Sequence, residues 1–242
     1  MGEARLYAGA SGFAYDSWKP DFYPADLPAK KYLEHYAARV NSVEVNYTFR
    51  RNPSESTVRA WIDATPAGFR FAVKAHMRIT HGHKPDEVAG SAEYFGRCLR
   101  PLLDAGRMGP VLVQLPHWRK ASQRTLAHLL DSLSPDYRYA FEFRDASWMT
   151  EETYAPLRER NAALCLAESD EFVVPHVVTA NFVYLRLRRA DYTAADLEQV
   201  RGRVRELLGE GKTIYLYFKH EETAEGVLNA ERVLAALGDG SS

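Results

Sequence analysis

The 242-residue sequence predicts a single α/β domain, a TIM-type (β/α)8 barrel with a degraded sixth crossover. Three observations carry this. Eight strand-like runs follow one another along the chain, helical patterns separate most of them, and polar residues within the apolar runs occupy alternate positions near the strand ends. Strand and helix alternating about eight times over roughly 250 residues is the pattern of that barrel.

The strand-like runs fall at about 5–10, 42–46, 69–74, 110–115, 138–144, 163–167, 182–188 and 213–218. Between them, apolar residues recur at three and four positions, as one buried helix face demands. The faces read Leu33, Tyr36, Ala37 and Val40; Tyr94, Phe95, Cys98, Leu99 and Leu102; and Leu126, Leu129, Leu130 and Leu133. Two more read Leu197, Val200, Val204 and Leu207, then Val227, Ala230, Val233, Leu234 and Leu237. Ser54, Thr150 and Thr193 stand as N-caps, Thr193 with Asp196 three residues on, while Gly106, Gly209 and Gly238 read as helix stops. Only the stretch Glu168 to Asn181, with Pro175 inside it, separates the sixth and seventh runs. That is too short for a full crossover helix, so an irregular or one-turn connection is expected there. No linker or repeat divides the chain, which reads as one domain over 1–242 with a frayed tail at 239–242.

Composition bounds the function. Apolar residues make up 46% of the chain, enough for a sizeable core, and the net charge is −1 with no acidic or basic block. This argues against dominant non-specific binding to nucleic acid or anionic membrane. Two cysteines, Cys98 and Cys165, supply neither a disulfide framework nor a paired metal motif and read as small apolar residues. The opening MGEARLYAG lacks the apolar core of a signal peptide, and no apolar run approaches twenty residues. A cytosolic protein without a membrane partner is expected; oligomeric state is not legible.

Strand parity is the most informative signal. In SVEVN, Glu44 and Asn46 share one face and Val43 and Val45 the other. The same alternation sets apart Lys74, Gln114, Glu142 with Arg144, Arg186, and Tyr217 with Lys219. Charged groups in strands apolar enough to be buried are costly unless paired or in use. All fall near the carboxyl ends of their strands, where barrel enzymes hold their sites. A polar chamber is therefore expected at that end. Two carboxylates face three cations, or four if Lys219 points inward, so the chamber favours a carboxylate or phosphate held by arginine. Glu142 is the expected general acid/base, with Glu44 assisting; Lys74, Arg144 and Arg186 hold the anion, and Gln114, Asn46 and Tyr217 orient polar groups. The competing account is a self-satisfied salt-bridge layer capping the core.

Two further clusters read in two ways. Phe13, Tyr15, Trp18, Phe22 and Tyr23 crowd the first loop, as a stacking surface for a ligand or as a plug on the barrel rim. His76, His81 and His83 in HMRITHGH invite a metal, converging with Glu44 or Glu142. The strand ends are dominated by Arg, Lys and Gln, so neither metal nor other cofactor is expected, and His81 reads as substrate-binding. No nucleophile elbow, P-loop or dinucleotide fingerprint occurs.

The motifs GASGFAYDSW with FYPADLP, VEVNYTF, FRFAVKA with ITH ending at His81, VLVQLP, FEFRDASW and FVYLRLR, in order from Tyr7 to Asn229, resemble those of the YecE-like family, domain of unknown function 72. The resemblance implies a TIM-type barrel and no particular reaction. It marks Ser11, Gly12, Trp18, Glu44, Asn46, Lys74, His81, Gln114, Pro116, Glu142, Arg144, Trp148 and Arg186. After YLYF, where many members have two asparagines, this chain has Lys219 and His220.

The leading expectation is thus a metal-independent enzyme, of hydrolase or lyase type, acting on a small anionic substrate. A second is a nucleic-acid-binding or repair protein, using Arg78, Lys84, Arg119, Lys120, Arg188 and Arg189 with Tyr15, Trp18 and Trp118. A third is a non-catalytic ligand-binding barrel, which fold alone does not separate from an enzyme.

Overall fold

The computed structural model describes residues 4–82, 84–168, 174–219 and 222–238. Eight parallel strands form one sheet: β1 (Leu6–Ala10), β2 (Ser42–Val45), β3 (Arg70–Lys74), β4 (Met108–Gln114), β5 (Tyr139–Glu142), β6 (Ala163–Glu168), β7 (Phe182–Leu187) and β8 (Thr213–Phe218). Each of the eight expected runs is a strand. The helices are α1 (Tyr32–Ala37), α2 (Glu55–Asp63), α3 (Met77–Thr80), α4 (Pro85–Asp104), α5 (Gln123–Ser132), α6 (Glu151–Glu159), α7 (Ala194–Gly209) and α8 (Glu225–Leu237). The architecture is the TIM-type (β/α)8 barrel.

Every strand is paired by a ladder to its neighbours except across the seam between β1 and β2, where Ser11 and Glu44 make a lone bridge. Side chains replace the missing ladder. Asn41 accepts from the Ala8 amide and donates to the Leu6 carbonyl, both at 2.8 Å. The Tyr36 hydroxyl accepts from the Ala10 amide at 2.7 Å and donates to the Ser42 carbonyl at 2.9 Å. Gly9 makes this possible, because a Cβ there would lie 1.8 Å from the Ser42 oxygen. Backbone groups that would otherwise be buried without partners are satisfied in this way.

The sixth crossover is degraded as expected: residues 174–181 contain no helix, and 169–173 lie outside the described residues. Thr179 closes this gap by accepting from the Leu164 amide and donating to the Ala162 carbonyl, both at 2.7 Å. The tail expectation for 239–242 also lies outside the described residues.

The helix faces pack largely as read, with local corrections. The buried stripe of α4 runs Val88, Ala92, Phe95, Leu99, Leu102, which leaves Tyr94 exposed. Ser54 caps α2 and Thr193 with Asp196 forms a full capping box on α7. Thr150 stands at the N-cap of α6 without a side-chain cap bond. Gly209 is the last residue of α7 rather than its stop, and Gly211 at φ 76° takes the left-handed position instead. Among the described residues, no helix is long and apolar enough to cross a membrane.

In parallel pairs, register partners share a face, so Tyr184, Arg186 and Tyr217 point into the barrel together with Gly9, Ser42, Ala72, Ala140 and Cys165. Most of these are small, and they leave room for the two fully buried tyrosine rings, 5.2 Å apart. Large beside small fills the barrel, so the polar layer at the carboxyl end rests on a packed floor.

Candidate functional site

The carboxyl ends of β2, β3, β4, β5 and β7 bring together Glu44, Lys74, Gln114, Glu142 and Arg186, with Arg144 and Arg188 just beyond β5 and β7. Arg186 is the centre of the network. Its Nε and Nη2 donate to the two oxygens of Glu44 at 2.8 and 2.7 Å, a bidentate fork, while Nη1 donates to Glu142 Oε2 at 2.7 Å. Glu44 also accepts from the Ser11 hydroxyl at 2.7 Å, the Tyr184 hydroxyl at 2.7 Å and the Asn46 amide at 3.2 Å. Glu142 Oε1 accepts from Gln114 Nε2 at 2.7 Å, Arg144 Nε at 3.1 Å and Arg188 Nη1 at 3.5 Å.

Glu44, Glu142 and Arg186 are all at most 2% exposed. Burial alone would push the Glu142 carboxyl up, but Arg186, then Arg144 and Arg188, and the Gln114 hydrogen bond outweigh it and bring it down to about 2. Glu44 is likewise lowered against its burial by Arg186, Ser11 and Tyr184. Both carboxylates are therefore ionised, saturated with donors, and poorly suited to accept or release a proton near neutral pH.

Lys74 is the opposite case. Burial, followed by repulsion from Arg186, lowers its ammonium to about 8. Its Nζ donates to Gln114 Oε1 at 2.7 Å and lies 4.4 Å from the centre of the Phe49 ring. Gln114 thus spans Lys74 and Glu142, its carbonyl facing the cation and its amide the carboxylate. Four cations, Lys74, Arg144, Arg186 and Arg188, meet two carboxylates here. Two polar groups remain buried without a partner in this layer, the Nε of Arg188 and the amide oxygen of Asn46.

Other expected residues stand elsewhere. Trp18 is fully buried against Tyr15, Phe22, Tyr23 and Tyr36 and offers no stacking face; Phe22 and Tyr23 are buried with it, while Phe13 and Tyr15 are half-buried. Tyr217 bonds Ser42 Oγ at 2.6 Å in the barrel floor and is fully buried there. Lys219 follows β8, half-buried, its amide on the Leu187 carbonyl at 2.9 Å. His220 lies outside the described residues. His81 bonds Thr80 Oγ1 at 2.9 Å and packs edge-on between Phe49 and Trp118. Burial first, then Arg119 and Lys74, lower its imidazole. His76 is spent capping α3, and His83 lies outside the described residues. No group of three metal-ligating side chains is assembled among the described residues.

Arg188, expected on the rim, joins the layer, and Phe49 lies against Lys74. The strand parity that selects Arg186 also selects Arg188. Phe49 lies in a one-turn 3₁₀ segment after β2, where strand parity says nothing.

Residues 7–242 match the family described as "Protein of unknown function DUF72". UPF0759 protein YunF of Bacillus subtilis (strain 168) is 28% identical over 157 residues, 62% of this chain and 54% of its own length, so the match spans about half of that relative. A crystal structure of a DUF72 family protein from Thermotoga maritima MSB8 superposes with a TM-score of 0.85 at 26% identity, covering 97% of this chain and 99% of the other. D-Psicose 3-epimerase from Clostridium cellulolyticum H10, solved with D-tagatose, has a TM-score of 0.55 at 10% identity, with 98% and 92% covered; it shares the barrel fold.

Proposed function

The chain belongs to the DUF72 family, and from that premise and the geometry of its chamber we propose an enzyme of hydrolase or lyase type that binds a small phosphate- or carboxylate-bearing substrate and moves a proton through Lys74. The observation that carries this reading is the contrast inside one hydrogen-bonded layer. Two carboxylates are locked as anions, while the neighbouring lysine is lowered to about 8, within reach of both protonation states near neutral pH. Proton transfer therefore passes from the carboxylates, where the sequence suggested it, to Lys74. Glu44 and Glu142 become the frame that holds Arg186 and Gln114 in place.

The chamber's surplus of positive charge supports an anionic substrate and disfavours a divalent cation. Arg144 and Arg188 are 33% and 22% exposed at the side chain, and both touch Glu142 by a single contact, at 3.1 and 3.5 Å. A substrate oxyanion can take up their remaining donors, the unpartnered Arg188 Nε among them. Lys74, joined to Glu142 through Gln114, would then take a proton from, or return one to, the adjoining carbon or oxygen of the seated anion. At pH 7 roughly a tenth of a lysine with that pKa is neutral and able to act as base.

A polymeric nucleic acid is less well supported, because the rim cations are largely engaged internally. Lys84 bonds Glu87, Lys120 bonds Asp145, Arg188 bonds Glu142 and Arg189 bonds Asp196. A phosphate backbone would have to displace these partners.

The test is a carbon NMR titration of the Lys74 ε-position. A midpoint near 8 is expected, moving upward when inorganic phosphate fills the chamber, since an anion favours the ammonium. An ordinary lysine midpoint, unmoved by phosphate, would refute the proposal.

A further inference from the structure

The opposite end of the barrel carries a basic cavity, apart from the polar layer at the carboxyl end. It measures about 330 Å³ and opens at the amino ends of the strands, lined by Arg5, Arg70, Arg138, Tyr7, Tyr215 and Asp136 among others. That volume lies within the range of small-ligand sites. Arg70 and Arg138 stand at or just before the first residues of β3 and β5, on the inward parity shared with Lys74 and Glu142. Tyr7 and Tyr215 are register partners on β1 and β8, their rings stacked at 5.1 Å.

What sets Arg70 and Arg138 apart is missing neutralisation. Among the described residues, no carboxylate lies within ion-pair distance of Arg70 or Arg138. Arg70 spends its Nη1 on the carbonyls of Ala67 and Phe69, at 3.1 and 3.0 Å, and Arg138 reaches only the Tyr215 hydroxyl at 3.4 Å. Asp136, the lone lining acid, is exposed and already 3.3 Å from Arg100. Arg107 adds a further positive charge beside Arg70, and its Nη1 is buried without a partner. Arg138 is exposed and Arg70 half-buried, so both guanidinium groups are open to a ligand entering the cavity.

We propose that this cavity at the amino end of the barrel is a second binding site, for a ligand bearing a phosphate or diphosphate group held by Arg70 and Arg138 over the Tyr7–Tyr215 pair. Guanidinium groups suit such a group because they present paired N–H donors to its oxygens. The competing account is a structural one, in which the arginines seal the barrel by lying on Tyr7 and Phe182, at 5.4 and 5.7 Å.

The two accounts separate by calorimetric titration of the whole protein with inorganic pyrophosphate. The binding event that the Tyr7 and Tyr215 resonances report is expected to weaken tenfold or more in Arg138→Gln, and to persist in Arg144→Gln, which alters only the carboxyl-end layer. Without pyrophosphate, Arg138→Gln should melt at the wild-type temperature or above it. In wild-type protein, independently of any variant, the ring resonances of Tyr7 and Tyr215 should shift on adding pyrophosphate, whereas the Lys74 ε-carbon reports the chamber separately. Unmoved tyrosine resonances, or a calorimetric signal lost in Arg144→Gln and intact in Arg138→Gln, would overturn the site. A lower melting temperature in Arg138→Gln together with unmoved tyrosines would establish the seal.

Discussion

The two ends of the barrel interior carry arginines in the same strand parity but in opposite electrostatic conditions. At the carboxyl end, Arg144, Arg186 and Arg188 all reach Glu142, and Arg186 also grips Glu44 with a bidentate fork. At the amino end, Arg70 and Arg138 are answered by carbonyls, a hydroxyl and aromatic faces. The difference teaches that the same residue type can be held by carboxylates or by neutral partners, according to whether its counter-charge is built into the chain. A saturated ion network is rigid and resists loss of any member; an unpaired cluster tolerates loss of a member.

The largest expected effect tests the saturated end. Glu44→Gln and Glu142→Gln each leave Arg186 short of a counter-charge in a site with almost no water access, and each should cost roughly 3–5 kcal/mol in urea denaturation. Near-neutral stability in both variants would dissolve the contrast between the two ends.

Acid should act on the same end. The folded pKa of Glu142 lies below its unfolded value, so its contribution is fully present above about pH 4.5 and is lost as pH falls toward 2. Wild-type stability should decline across that window by a few kcal/mol, an order-of-magnitude figure. In Glu142→Gln that part of the decline should be absent.

Lys74 offers a smaller effect of opposite sign. Its folded pKa is lowered, so burying the ammonium costs stability below about pH 8, and the cost fades as pH rises toward the ordinary lysine value. Lys74→Met should therefore raise stability at pH 7 by about 1 kcal/mol, with the gain gone near pH 10. The same variant should abolish turnover once a substrate is found. Stability gained together with activity lost is the mark of a group retained for chemistry.

The smallest effect belongs to the amino end. Arg138→Gln should change stability by no more than about 0.5 kcal/mol, because no ion pair is broken. A loss comparable to that of Glu142→Gln would show that both ends are structural.

How much of this could be read in advance follows from what local rules govern. Period-two alternation depends only on backbone geometry, so the sequence alone located every strand and assigned Glu44, Lys74, Gln114, Glu142 and Arg186 to a common face at a common end. The shortness of the Glu168–Asn181 interval likewise fixed the degraded crossover. Helix stops were less secure, since Gly209 and Gly211 are equally good candidates until the last turn is seen. The first-loop aromatics had two readings in composition and one in three dimensions, because only packing reveals that Trp18 lies beneath Tyr15.

The tertiary structure alone decided which charges answer which. Residues 44, 142 and 186 are far apart along the chain, and no spacing rule predicts that one guanidinium bridges two carboxylates or that Lys74 is left with an amide for its partner. Protonation behaviour follows from that pairing, since a pKa depends on burial and on neighbours a few ångströms away rather than on residue type. The sequence by itself determined a barrel with charged strand ends; distance in the folded state determined that both glutamates answer Arg186 and that Lys74 meets an amide.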